Sequence, residues 1–154
     1  MRRGERGSAY LGMLVTLTIF MLLITQVTDF GAVERRREKE ADLLAKGHEI
    51  RQAIAAYYVS GPAAGRYPKT LDELVSDARQ AKVLHHLRRA YPDPMTGAEW
   101  DYVRAADGGI MGVSSRAEGR PLRQTGFAKR DEGFANQASY AGWVFLHVPQ
   151  RPGG

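Results

Sequence analysis

The chain has 154 residues, a formal net charge of +5 and no cysteine. With about 30 residues taken up by an apolar front end, roughly a hundred remain, enough for one small domain and not two. Disulfide staples and thiolate chemistry are excluded, and no nucleic-acid partner is expected, because basic residues beyond the front end are interleaved with acids, as in ERRREKE at Glu34 to Glu40, the pattern of a solvated helix face.

After a short basic leader, residues 1–7 (MRRGERG), the sequence from Ser8 to Thr28 runs SAYLGMLVTLTIFMLLITQVT without a formal charge. A helix of that length reaches about 30 Å, the hydrocarbon thickness of a bilayer. Leu11, Met13, Leu14, Leu17, Ile19, Phe20, Met21 and Leu23 cover every side of the cylinder, where a surface helix would keep a polar face. Residues 8–28 therefore read as a membrane-spanning helix. A removable secretory signal fits less well, since the block exceeds the usual apolar region and no small-x-small cleavage pattern follows it. Arg2, Arg3 and Arg6 precede the block while Arg35, Arg36, Arg37 and Lys39 follow it, so charge alone does not orient the span. Ser8, Gly12 and Thr16 recur every four residues, a small-residue row that lets a second helix come close.

Residues 29–60 continue as a helical stem. Its first part is charged all round, and its second places Leu43, Gly47, Ile50, Ile54 and Tyr57 on one stripe that needs a partner. Ser60, Gly61 and Pro62 stop the helix. Thr70 and Glu73 have the spacing of a capping box, predicting a short helix with Leu71, Leu74 and Val75. A second short helix is predicted over Val83 to Arg89, closed by the two prolines of YPDP at Tyr91 to Pro94.

From Trp100 the period changes. WDYVRA and IMGVSS read as strands joined by a tight turn at Asp107, Gly108 and Gly109. A third run, WVFLHV at Trp143 to Val148, is the most apolar and is expected at the centre of the sheet. Three strands would cover the stem stripe. Arg116 to Ala138 reads as a loop and residues 151–154 as a tail.

Catalytic patterns are absent. His48, His85, His86 and His147 fall in no metal-ligand spacing and read as surface residues; Ser114 and Ser115 lack the glycines of a nucleophile elbow; DGGIMG is a turn rather than a phosphate loop; and HHLRR at His85 to Arg89 reads as a solvated patch. The chain is not expected to be an enzyme.

Three passages carry a resemblance. The basic leader ending in Gly7 with an apolar helix directly behind it, the stem EADLLAKGHEIRQAIAAYY with YPKTLDEL after it, and PDPMTGAEWDY at Pro92 to Tyr102 together resemble the type IV pilin and type II secretion pseudopilin family. Ser8 and Gly12 stand where that family usually carries Phe or Met and a glutamate, so the resemblance implies a minor or divergent subunit. The resemblance implies an α+β pilin-like fold, a long N-terminal helix packed on a three- or four-stranded antiparallel sheet of residues 61–150. It also implies a prepilin peptidase cut between Gly7 and Ser8, and a single-pass protein of the bacterial inner membrane with its C-terminal domain in the periplasm. The implied partners are other pseudopilins or pilins, the inner-membrane assembly platform and the lipid bilayer. Calcium enters by family analogy only: Asp131 and Glu132 are the acids of the relevant region, they do not make a site, and no metal ligand is assigned. A type IV pilus minor pilin and a tethered periplasmic binding domain that never polymerises stay open as alternatives.

Overall fold

The computed structural model describes residues 5–62 and 64–149, without the side chains of residues 5–8 and 22–30. Residues 1–4 of the expected leader, residues 150–154 with the tail, and the side chains of residues 5–8 and of 22–28, the last third of the expected membrane span, lie outside what is described. Two compact units emerge, Met1–Glu38 and Lys39–Gly154. The architecture is α+β: one long helix, a three-stranded antiparallel sheet and short helical turns.

Helix α1 runs over Glu5–Val59. Its sequence is rich in Ala, Leu, Glu, Arg and Lys and free of proline, so nothing interrupts the hydrogen-bond ladder. It stops where Gly61 takes a positive φ of 82°, ahead of Pro62, which cannot continue a helix. Among the described residues no helix is long and apolar enough to cross a membrane. In the first unit, the large apolar side chains from Tyr10 to Met21 are exposed on all sides of α1.

The second unit is organised on the stripe of α1. Leu43, Ile50 and Ile54 are fully buried, Gly47 and Tyr57 are buried with them, and Ala53 extends the stripe. Gly47 has a specific reason: a Cβ there would collide with the Phe145 ring, so the ring lies directly on the helix backbone. A mid-helix glycine costs about 1 kcal/mol against alanine, and this close approach offsets it.

Strands β1 (Asp101–Arg104), β2 (Ile110–Ser114) and β3 (Phe145–Leu146) form the sheet in that order. Tyr102 pairs with Val113 and Val113 with Phe145. The turn between β1 and β2 uses one left-handed glycine, Gly108 with φ 81°, while the Asp107 carboxylate accepts from Gly109 N at 3.0 Å. The expectation that WVFLHV lies centrally is corrected. Only Phe145 and Leu146 pair, at one edge, and β2 holds the middle. The apolarity of the third run serves the core instead, because Trp143 and Phe145 are fully buried and Trp143 Nε1 donates to the Phe134 carbonyl at 3.0 Å.

Three further expectations need correcting. Thr70 and Glu73 form no capping box: α2 spans Asp72–Val75 with no side-chain cap, and Glu73 accepts instead from Lys69 N at 2.9 Å and from the Tyr57 hydroxyl at 3.0 Å. Val83 to Arg89 is not helical. Leu84 exchanges both backbone bonds with Asp77, and the amides of His86 and Leu87 both donate to the Leu74 carbonyl, so tertiary pairing overrides the local pattern. The segment 116–138 contains a 3₁₀ turn at Lys129–Phe134 whose Phe134 is buried, stacked on Trp143 with ring centroids 5.7 Å apart.

Candidate functional site

Of the residues proposed for helix packing, Gly12 and Thr16 are exposed on α1. A Cβ at Gly12 would meet nothing within 4 Å, and the Thr16 hydroxyl donates back to the Gly12 carbonyl at 2.8 Å. Thr18 does the same to Leu14 at 2.7 Å. Both hydroxyls are thereby satisfied within the helix.

Among the described residues the second unit carries four buried acids that sequence reasoning did not single out as sites: Glu40, Asp77, Asp93 and Asp131. Each one fastens two segments. Glu40 lies three residues before Leu43 and so continues the apolar stripe, a position that a solvated acid would avoid. Its Oε1 accepts from the Tyr140 hydroxyl at 2.7 Å and from Leu122 N, and Oε2 from Arg123 N at 3.2 Å.

Asp131 draws the 3₁₀ turn to α1. Arg51 donates to Oδ1 at 3.0 Å, His48 Nε2 lies 3.3 Å from Oδ2, and Arg130 Nε lies 3.5 Å from the same oxygen. Arg51 also approaches His48 Nδ1 at 2.8 Å. A guanidinium can only donate, so Nδ1 accepts and the proton sits on Nε2, facing Asp131. Burial pushes the His48 pKa below its ordinary 6.5; Asp131 opposes this, and Arg51 and Arg130 add to it.

Asp77 is held by a cation and a histidine. Arg79 grips it with Nε to Oδ1 at 2.8 Å and Nη2 to Oδ2 at 2.7 Å, while His86 Nε2 lies 3.0 Å from Oδ2. Those hydrogen bonds, Arg79 first, hold the carboxyl well below the usual carboxylate range against the opposing pull of burial. The same guanidinium donates to the Tyr57 carbonyl at 2.8 Å and lies 3.4 Å over the Tyr57 ring. It caps the C-terminal end of α1 with a cation, where the helix dipole favours one. Burial, then the Glu73 carboxylate, push the Tyr57 phenol up to about 12.

Asp93 explains the PDPMTG phrase. It accepts from Met95 N at 2.9 Å, from the Thr96 hydroxyl at 2.8 Å and from the Ser115 hydroxyl at 2.8 Å, clipping the 93–98 turn to the end of β2. Trp100 Nε1 donates to the Tyr91 carbonyl at 2.9 Å. A cleft of about 530 Å³ opens beside this region, bordered by Lys69, Asp72, Tyr91, Glu99, Tyr102 and Arg104.

The reading of the histidines as surface residues is corrected for three of them. His48, His86 and His147 are half-buried, and only His85 is exposed; polar partners inside the fold, invisible in the local sequence, place the first two. Ser115 is buried against Asp93. Asp131 spends its oxygens on cationic partners, and among the described residues no group of three His, Asp or Glu is arranged to hold a metal. Within the second unit the arrangement fixes a sheet and its loops onto the Lys39–Val59 part of α1. Comparison with protein-family models, with curated proteins and with solved structures gives no match.

Proposed function

We propose that the chain is a membrane-anchored, pseudopilin-like structural subunit of a type II secretion apparatus, held in the bacterial inner membrane by α1 with its Lys39–Gly154 unit in the periplasm. One observation carries the reading: a single helix is apolar and uncovered from Tyr10 to Met21 and apolar and covered from Leu43 to Tyr57. Each large apolar side chain removed from water is worth about 1.5–3 kcal/mol, so the uncovered stretch demands an apolar surrounding. A bilayer supplies it, and the inward-bonded hydroxyls of Thr16 and Thr18 suit a medium that offers no partners. The leader, YPKTLDEL and PDPMTG support the family assignment.

In this role the subunit is cut after Gly7 by a prepilin peptidase and lifted by the assembly platform. Its helix then packs beside those of other pseudopilins. Gly12 occupies the place of the customary glutamate, so lateral docking rests on close packing along Ser8, Gly12 and Thr16.

The test is N-terminal sequencing of mature material from the inner-membrane fraction of cells that also express a prepilin peptidase. A chain starting at Ser8 is the expected result. An intact Met1 would point to a tethered domain that does not polymerise, and a soluble product stripped of residues 8–28 would overturn the anchor altogether.

A further inference from the structure

Strand β1 is one edge of the sheet, and the ladder fixes which way each of its peptide groups points. His147 N donates to the Met111 carbonyl and Phe145 pairs with Val113, so Met111 and Val113 turn their peptide groups toward β3. Alternation then turns Gly112 and Ser114 toward β1, where they face Val103 and Asp101. Ala105 N continues the same ladder onto the Gly109 carbonyl at 2.8 Å. The amides and carbonyls of Tyr102 and Arg104 are left pointing away from β2, the two residues about 7 Å apart along the strand. Among the described residues no backbone group of another segment meets them.

Tyr102 and Arg104 also border the cleft of about 530 Å³. With Trp100 they are alternate residues and share one face of the strand; the rest of the border comes from the segments 69–72, 90–92 and 97–99. Leu71, Trp100 and Ile110 are buried there, and Tyr91 and Tyr102 half-buried. Trp100 spends its one side-chain donor on the Tyr91 carbonyl. The charged groups of the border, Lys69, Asp72, Glu99 and Arg104, belong to exposed residues. The cleft is therefore apolar at its base, with a rim of two cations and two carboxylates.

A balanced rim selects neither a polyanion nor a polycation. A peptide main chain is neutral and alternates donors with acceptors, as Tyr102 and Arg104 do. A strand laid along that edge directs every second side chain to the face that Tyr102 and Arg104 share, into the cleft. The volume suits a few side chains rather than a folded domain. We propose that the cleft and the free edge of β1 together bind an extended peptide segment of another protein, its main chain paired with Tyr102 and Arg104 and its apolar side chains set into the cleft at alternate positions. The site lies wholly within the Lys39–Gly154 unit and does not depend on the anchored reading.

The probe is a phage-displayed library of random nine-residue peptides, panned on the full chain in mild detergent; the enriched peptides are then synthesised. They are expected to carry apolar residues two positions apart and to bind one per chain. Ala98→Trp, at an exposed position on the cleft border, fills the cleft and should weaken binding about tenfold or more. N-methylation of single peptide residues should cost about tenfold on those whose amides face β1, the scale of a lost hydrogen bond, and little on the residues between them. Circular dichroism and the urea midpoint check that Ala98→Trp folds as the parent does.

Panning that enriches no peptide over a blank support overturns the inference. Binding that survives Ala98→Trp overturns it too, and so does binding indifferent to N-methylation at every position, because the main chain would then be unpaired. Self-association of the full chain, read as a doubled mass in sedimentation and abolished by Ala98→Trp, would give the edge to a second copy and overturn it equally.

Discussion

The two halves of α1 are alike in their helix and opposite in their surroundings. Phe20 and Met21 are 65% and 74% exposed, while Ile50 and Ile54 are 0% exposed. Amino-acid type does not separate them, since both stretches are aliphatic. What differs is the pattern: the second half confines its apolar residues to one stripe and follows them with 95 residues, Ser60 to Gly154, able to fold back over it, whereas the first is apolar all round. A stripe calls for a sheet, and an all-round apolar surface calls for a solvent.

The comparison can be broken most severely at the core of the second unit. Trp143→Ala removes a fully buried ring stacked on Phe134 and should lower stability by about 3–5 kcal/mol, read from urea unfolding by the fluorescence of the remaining Trp100. Gly47→Ala comes next. Its methyl would strike the Phe145 ring, so an overpacking loss of about 1–3 kcal/mol is expected; a gain in stability would overturn the seating of the ring on the helix.

Acid should erode the second unit by a smaller amount. The folded pKa of His48 lies below its ordinary 6.5, and that of His147 is lowered by burial too. The unfolded chain therefore takes up these protons first, so stability is complete above about pH 6.5 and declines as the pH falls below it. Protonated His48 would also turn a donor toward Arg51. His48→Gln should flatten the slope of urea midpoint against pH between 7.5 and 5.5, and an unchanged slope would remove His48 from the account. Asp77, whose folded pKa is depressed below 3.8, adds a second decline only under about pH 4.

The smallest effect belongs to the first unit. Leu14→Ala, at a position 46% exposed, should move the urea midpoint by less than about 0.5 kcal/mol equivalent. A loss of the size expected for Trp143→Ala would show that Leu14 is covered by the protein itself.

Much of this was legible in advance where one local pattern spoke alone. The stripe Leu43, Gly47, Ile50, Ile54 and Tyr57, the stop at Ser60 to Pro62 and two of the strands with their turn follow from periodicity and turn chemistry. Reading failed where a distant partner outbid the local signal. Glu73 had the spacing of a cap and went to Tyr57 and Lys69 instead; Leu84 sat in a helical pattern and paired with Asp77; WVFLHV was apolar enough for a central strand and was used to plug the core at an edge. The buried acids were the hardest. Only Glu40 carried a local sign, its place on an apolar stripe, while Asp93 and Asp131 are met by Ser115 and Arg51 from distant parts of the chain, and Asp77, gripped by its near neighbour Arg79, is closed off by His86.

The sequence by itself determined a long uninterrupted helix, its division into an all-round apolar stretch and a one-sided stripe, and the turn after β1, because each depends on neighbours within a few residues. The order of the strands, the direct seating of Phe145 on Gly47 and the partners of the four buried carboxylates were decided by tertiary structure. A buried charge is tolerable only where its counter-groups converge, and convergence belongs to the folded chain rather than to any stretch of it.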